Sequence, residues 1–283
     1  MRLKKIFIFL LCIFTVSMVL SYVYSIFEYN NVKVKNIVIE SKDIPESFNG
    51  MKIMYVADFQ FDTKRVLNKK ALDNVINIMN KNEKDIILLG GDFTNWEGKI
   101  IPFFKEFQKV EKPEYGIYTV TGNHDYANHE LTLEELELSG IYNLDNKRTR
   151  IKKGKDSIVI AGVEDLWFGN PQAGVVLDGM EKEDFVVFLS HNPDYFEEMT
   201  EEEKGKADIT LSGHIHAGMV SFFGLFSPFT GSVTAYGEKY RYGMKDYGGH
   251  KIYITSGVGG NALGQFVRFF AQPEVIILEL KKV

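Results

Sequence analysis

The sequence predicts an α/β protein of one domain behind an N-terminal membrane helix, and three observations predict it. Short apolar runs of strand character alternate with segments of helical apolar spacing. Most polar residues able to do chemistry stand just after the C-terminal ends of those runs. One uncharged apolar stretch, Ile6 to Phe27, precedes everything else.

That stretch follows Arg2, Lys4 and Lys5. As a helix it would span roughly 33 Å, enough for a bilayer core of about 30 Å. A cleaved signal peptide has a shorter apolar region and a small-x-small exit, whereas here Ser17, Ser21 and Ser25 are separated by bulky neighbours. An uncleaved anchor over residues 1–27, followed by a domain over 28–283, is the expectation. Cys12 lies within the run as a small packed residue. Lys33, Lys35 and Lys42 nearly balance the basic head. Even so, a short basic head favours the cytoplasm, which puts the domain on the outer, extracytoplasmic face of the cell membrane.

After the anchor, VKVKNIVIE (Val32 to Glu40) alternates as a first strand, and MKIMYVA (Met51 to Ala57) reads as a more buried second one. Leu72, Val75, Ile76 and Met79 recur at helical spacing. Asp85 to Leu89 is a continuous apolar run suited to a strand buried on both faces, completing a βαβ unit. Ile100 to Val110 then reads as a helix and Gly116 to Val120 as a strand. Thr132 and Glu135 predict a capping box for a helix to Leu138. Ser157 to Val163, Phe185 to Leu189, Asp208 to Leu211, Lys251 to Thr255 and Glu274 to Leu280 supply further strands. Asn192-Pro193 predicts an N-cap with proline at the first helical position.

Of the 283 residues, 45% are hydrophobic and 25% charged, so the chain has an ordinary globular composition. Without Arg2, Lys4 and Lys5, residues 28–283 carry 30 basic and 38 acidic side chains, a formal net charge of −8. Nucleic acid is therefore not an expected partner. The single cysteine excludes a disulfide framework.

The strand-end residues are Asp58, Asp92, Asn123-His124-Asp125, His191, and His214 with His216. Ligands in α/β sheets favour that edge. Each motif alone is weak, since a GNHD can be a turn and a His-x-His a solvated pair. Their recurrence after successive strands is the signal. Carboxylate, imidazole and amide oxygen together suit Mn²⁺, Fe or Zn²⁺ better than an all-oxygen Ca²⁺ cage.

The ordered set Asp58-x-Gln60, Gly91-Asp92-Phe93-Thr94-Asn95, Gly122-Asn123-His124-Asp125, His191 and Gly213-His214-Ile215-His216 resembles the calcineurin-like metallophosphoesterases. The tail TSGVGGNALGQFVRFFAQPEVIILEL is similar to that of membrane-associated bacterial members. The resemblance implies a four-layer α/β/β/α sandwich and hydrolysis of phosphodiesters or phosphomonoesters at a two-metal centre. It assigns Asp58 and His216 to one cation and Asn123, His191 and His214 to the other, with Asp92 bridging. It places His124 against the phosphate, protonating or stabilising the leaving oxygen, and gives Asp125 the task of orienting that imidazole.

Gln60 departs from the family pattern, which has histidine there. Three readings stand. Gln60 ligates through its amide oxygen, favouring Mn²⁺ or Mg²⁺ over Zn²⁺; Asp62 substitutes for it; or the first site is half-formed and the protein binds a phosphorylated ligand without hydrolysing it. Two aromatic segments, Phe222 to Phe229 and Phe266 to Phe270, read either as core or as an apolar lip beside the site. With an anchor so near, a lipid-linked or envelope phosphoester is the expected substrate class. Glu164-Asp165-Leu166-Trp167 reads as a turn with Asp165 bonded to backbone amides.

Overall fold

The structure, a computed structural model, describes residues 2–62, 69–260 and 267–283, so Phe266 of the second aromatic segment lies outside the described residues. Two mixed six-stranded sheets organise it. The first has the order β1 (Lys33–Ser41), β12 (Glu274–Lys282), β2 (Lys52–Val56), β3 (Ile86–Leu89), β4 (Ile117–Thr119), β5 (Tyr142–Asn143). The second has the order β10 (Gly243–Tyr247), β11 (His250–Ile254), β9 (Ile209–Ser212), β8 (Val186–Leu189), β7 (Asp156–Gly162), β6 (Lys147–Lys153). Strands β2, β3, β4 and β5 are mutually parallel, as are β7, β8, β9 and β11.

The apolar runs explain the layering. Successive side chains of a strand point to opposite faces. In β2, Ile53 and Tyr55 face the second sheet, while Met54 and Val56 face helices α2 (Lys69–Lys81) and α3 (Ile100–Phe107). In β8, Val187 and Leu189 enter the same inter-sheet core, while Val186 and Phe188 pack outward with Tyr195 and Phe196. Three apolar layers separate four structural ones, the expected α/β/β/α sandwich. Truncating a fully buried member such as Leu88 to alanine would cost about 2–5 kcal/mol.

Two helix starts differ from expectation. Helix α4 (His129–Leu138) begins earlier than Thr132, capped by Asn128, whose Oδ1 accepts from Leu131 N at 3.1 Å. Thr132 sits inside the helix and donates to Asn128 O at 3.1 Å. A further helix, α5 (Tyr195–Glu198), starts after Asp194. Asn192 lies two residues before Asp194 and instead accepts Asp194 N at 3.0 Å.

Strands β5, β6 and β10 were not expected. β6 reads KRTRIKK, and only Ile151 is buried, so no apolar alternation marks it. β10 joins β11 through Gly248-Gly249, both at positive φ, a hairpin signal that the sequence did offer. A Thr-x-x-Glu capping box does form at Thr200 and Glu203, opening α6 (Glu201–Gly205).

Helix α1 (Arg2–Asn30) is long and apolar enough to cross a membrane, and its apolar side chains are exposed. It runs past Phe27, and only Asn31 and Val32 separate it from β1. Its last turn belongs to the domain: Ser25, Glu28 and Tyr29 are buried. The Glu28 carboxylate accepts from Phe270 N at 2.7 Å and Ala271 N at 3.1 Å, and Ser25 O accepts from Arg268 N at 3.2 Å.

Candidate metal centre

Loops leaving β2, β3 and β4 of one sheet meet those leaving β8 and β9 of the other. Two buried triads result: Asp92, His191 and His214, and Asp58, Asp92 and His216, with the ligand atoms of each within 4.8 Å of one another. Asp92 belongs to both. A two-oxygen anion shared by two such groups is what bridging two cations requires.

Hydrogen bonds to backbone carbonyls orient the histidines of the triad Asp92, His191 and His214, the second candidate metal site. His191 Nδ1 lies 2.6 Å from Gly90 O, and His214 Nε2 lies 3.0 Å from Val233 O. A carbonyl only accepts, so those nitrogens donate. The opposite nitrogens, His191 Nε2 and His214 Nδ1, each able to ligate once unprotonated, face Asn123 Oδ1 at 3.2 and 2.8 Å and lie 3.3 Å apart. Three converging acceptors fit a cation, and carbonyl-held imidazoles are the usual outer support of metal ligands.

The triad of Asp58, Asp92 and His216, the first candidate metal site, is set differently. Asp58 Oδ1 accepts His214 N at 3.0 Å, while its Oδ2 is buried without a partner. His216 Nε2 lies 3.9 Å from Asp58 Oδ1. Gln60 reaches Asp92 and His216, its Nε2 3.1 Å from both Asp92 Oδ2 and His216 Nε2. Rotating the amide by half a turn exchanges its nitrogen for the oxygen at the same place, so Gln60 fits a ligand position in reach and direction. Asp62 is in neither triad. An orphaned carboxylate oxygen and a reachable amide oxygen fit a cation here too.

Building this centre strains the chain. Asp58, Gln60, Asp92, His214 and His216 all have φ between 44 and 70°, where L-residues are disfavoured. Gly91 needs both its positive φ and its missing side chain, since a Cβ would fall 2.3 Å from Gly122 N.

Electrostatics divide the charge unequally. Burial pushes the Asp58 carboxyl up to about 7, with Asp92 adding to it, and burial likewise pushes Asp125 up to about 7. Burial acts against Asp92 as well, but His191 and His124 outweigh it and hold Asp92 below the usual range. For His191, burial is outweighed by Asp92, whose Oδ2 is 3.4 Å from Nε2, and the imidazole is raised well above its ordinary value. Burial lowers His214 to about 3 and His216 well below its usual value, keeping both neutral and able to ligate. A cation and a proton compete for His191 Nε2, so metal binding here releases a proton.

His124 stands at the mouth, its side chain 39% exposed, with Nε2 4.0 Å from Asp92 Oδ2 and its backbone N–H donating to Asp92 Oδ1 at 2.9 Å. Asp125 does not orient that imidazole. Its carboxylate accepts from Asp92 N, Phe93 N and Gly122 N, each at 2.8 Å, so it ties the β3 loop to the β4 loop. The expectation failed because residues adjacent in a tight turn point apart. Asp165 makes the expected turn, accepting from Trp167 N and Phe168 N.

A cavity of about 290 Å³ opens over the centre. Asp92, Asn123 and His124 form part of its polar floor, and Trp167, Met219, Phe229 and Val233 part of an apolar wall. Trp167 sets its ring edge-on to His214 at 4.4 Å. Sequence reasoning missed Arg268, which is fully buried and donates to His216 O at 2.8 Å, Ala271 O at 3.0 Å and Gly259 O at 2.5 Å. An arginine in the middle of FVRFF was the available signal.

A family model described as calcineurin-like phosphoesterase matches residues 51–218. The metallophosphoesterase YkuE of Bacillus subtilis (strain 168) is 29% identical, over 86% of this chain and 83% of its own. YkoQ, a metallophosphoesterase of the same organism, is 26% identical over 87% and 89%. A Danio rerio transmembrane protein with a metallophosphoesterase domain is 28% identical over 66% of this chain and 45% of its own. Among solved structures, TT1561 of Thermus thermophilus superposes with a TM-score of 0.46 at 15% identity, covering 74% of this chain and 91% of that one. The family match spans more than half of the chain and takes in every loop that builds the two triads, so the chain belongs to the calcineurin-like phosphoesterases.

Proposed function

We propose that the chain is a membrane-anchored hydrolase of phosphodiesters or phosphomonoesters working with two divalent cations, Mn²⁺ before Fe, Zn²⁺ or Mg²⁺. The observation that carries this reading is the pair of buried triads sharing Asp92. Asp58, Gln60 and His216 would hold one cation, Asn123, His191 and His214 the other, and Asp92 both. When bound, such a pair supplies a Lewis-acid clamp on the phosphoryl oxygens and lowers the pKa of water.

The chain's own groups do the rest. The loop amides that hold Asp92 and Asp125 keep the floor rigid, so little reorganisation accompanies reaction. His124, outside both triads and open to the cavity, is placed to give a proton to the leaving oxygen. Asp125 acts through position alone, by fixing the loops that carry Asp92 and Asn123. The wall of Trp167, Met219 and Phe229 suits an ester group with apolar character, which supports a lipid-linked or envelope substrate. Helix α1 is read as an uncleaved single-pass anchor, and the basic head at Arg2, Lys4 and Lys5 as cytoplasmic, putting the site outside. Protease accessibility of the domain in whole cells checks that orientation.

The deciding experiment is turnover of matched chromogenic diesters and monoesters by the purified protein with Mn²⁺, Mg²⁺, Fe²⁺ and Zn²⁺ in turn. Turnover should need metal and vanish in Asp92→Asn; no turnover with any of the four sinks the reading. His124→Ala should lower turnover while leaving metal content intact, and a lost ion would mean that its role is ligation. A second reading, binding without hydrolysis, is favoured by one observation, the Gln60 Nε2 donor set against Asp92 in the first site. One cation per chain with no turnover would select it.

A further inference from the structure

A short hairpin, Phe222 to Phe226, stands out from the loop that follows the His214/His216 ligands. Phe222 N donates to Phe226 O at 2.7 Å, and Ser221 Oγ accepts Gly224 N at 3.0 Å while donating to Phe270 O at 2.7 Å. Arg241 braces the tip, donating to Gly224 O at 2.5 Å. The hairpin is therefore a built feature, yet it holds its side chains away from the domain. Phe222, Phe223, Leu225 and Phe226 are 58, 66, 76 and 50% exposed, and no charged residue occurs from Val220 to Phe229. Phe223 also holds a positive φ of 50°, a conformation that disfavours a bulky side chain. An exposed apolar cluster held under strain needs a partner.

Its position relative to α1 identifies the partner. The Phe223 ring lies 5.0 Å from the Phe270 ring, and Phe270 lies 5.6 Å from Tyr24 of α1. Tyr24 sits three residues, or about 4.5 Å, inside the C-terminal end of the apolar run. If that run fills the bilayer core, the Tyr24–Phe270–Phe223 row lies at the level where hydrocarbon meets headgroups. Aromatic side chains favour that level. The apolar surface of the hairpin is thus continuous with that of α1.

We propose that the Phe222–Phe226 hairpin is a second membrane contact, seated in the interface of the leaflet from which α1 emerges. The same loop then supplies Met219, Phe229 and Val233 to the cavity wall, so the catalytic cavity opens beside the lipid surface. A phosphoester carried on a lipid of that leaflet reaches the centre without leaving the membrane. The inference rests on the anchor reading of α1.

The single cysteine makes the test direct. Full-length protein is reconstituted in vesicles of equal parts phosphatidylcholine and phosphatidylglycerol, with one nitroxide label per chain. Cys12 reports α1, Leu225→Cys or Phe223→Cys in a Cys12→Ser background reports the hairpin, and Glu202→Cys reports water. Collision with oxygen relative to a water-soluble nickel chelate should be several-fold higher at Cys12 and at both hairpin sites than at Glu202→Cys. A high ratio at Cys12 with water-like ratios at the hairpin overturns the second contact and leaves the anchor standing. A water-like ratio at Cys12 overturns both. Low collision with both probes at the hairpin, or dipolar broadening between labels, means a protein or a second copy covers it and overturns the proposal. Turnover of a soluble diester is measured on the same samples, so loss of hydrolysis is told apart from loss of membrane contact.

Discussion

Gln60 is the residue on which the chemistry of the centre turns. Its Nε2 stands 3.1 Å from Asp92 Oδ2 and from His216 Nε2, and as a ligand, with the amide turned over, it would offer a neutral oxygen where an imidazole would give a stronger donor. Gln60→His should tighten the first cation at least about tenfold, near 1.4 kcal/mol, and shift preference toward Zn²⁺ or Fe. Calorimetric titration with each metal checks this; unchanged affinity would mean the glutamine is not a ligand. The candidate centre was legible at this scale because the residues of both triads follow strands in an uninterrupted order. What was not legible was the support. The arginine within FVRFF hints at Arg268, but the His216 carbonyl it holds, the Gly90 and Val233 carbonyls and the Asp92 and Phe93 amides that reach Asp125 all come from distant segments, and local spacing carries no trace of them.

Among the elements, the end of α1 and the 267–271 segment form one unit with the first metal site. Glu28 holds the amides of Phe270 and Ala271, and Arg268 in turn holds the carbonyls of His216, Ala271 and Gly259. Glu28→Ala leaves two amides without their acceptor and should cost about 1–3 kcal/mol. It should also weaken the first cation more than the second, because the segment it releases carries Arg268 against the His216 turn. Unfolding midpoints together with stepwise metal titration read both effects, and equal weakening of the two sites would refute the coupling. Helix α4 gives a pH prediction. His129 opens it with Nε2 3.7 Å from Asp145 Oδ2, and that carboxylate raises the imidazole above its ordinary value despite burial. A raised folded-state pKa contributes stability that is complete below about 6.5 and fades as pH rises through the folded value. Histidine NMR titration should find His129 above 6.5 and lower in Asp145→Asn; no shift would remove Asp145 as the cause. Elements with strong apolar periodicity were readable, whereas β6 and β5 were not, because pairing with an existing edge rather than their own pattern makes them strands.

Across the whole molecule, two sheets with apolar cores carry a centre that works against folding. Asp58, Asp92 and Asp125 are buried in one cluster, and the five candidate ligand positions at 58, 60, 92, 214 and 216 lie in left-handed backbone. Because burial pushes Asp58 up to about 7, the metal-free protein loses stability as pH rises from about 4 through that value, where the folded state must give up a proton that the unfolded chain has already lost. A bound cation reverses the sign by stabilising the ionised form, and at one hundred times its Kd adds about 2.7 kcal/mol. Asp58→Asn should therefore raise the melting temperature of the chelator-treated protein at pH 8, at roughly 2–4 °C per kcal/mol relieved. In saturating Mn²⁺ the order should invert, since the variant lacks the anionic ligand that gives the wild type its gain. Thermal scans of both proteins at pH 5 and 8, with and without Mn²⁺, test the claim. If Asp58→Asn melts lower than wild type without metal at pH 8, the buried carboxylate is a structural support and not a cost that metal binding offsets.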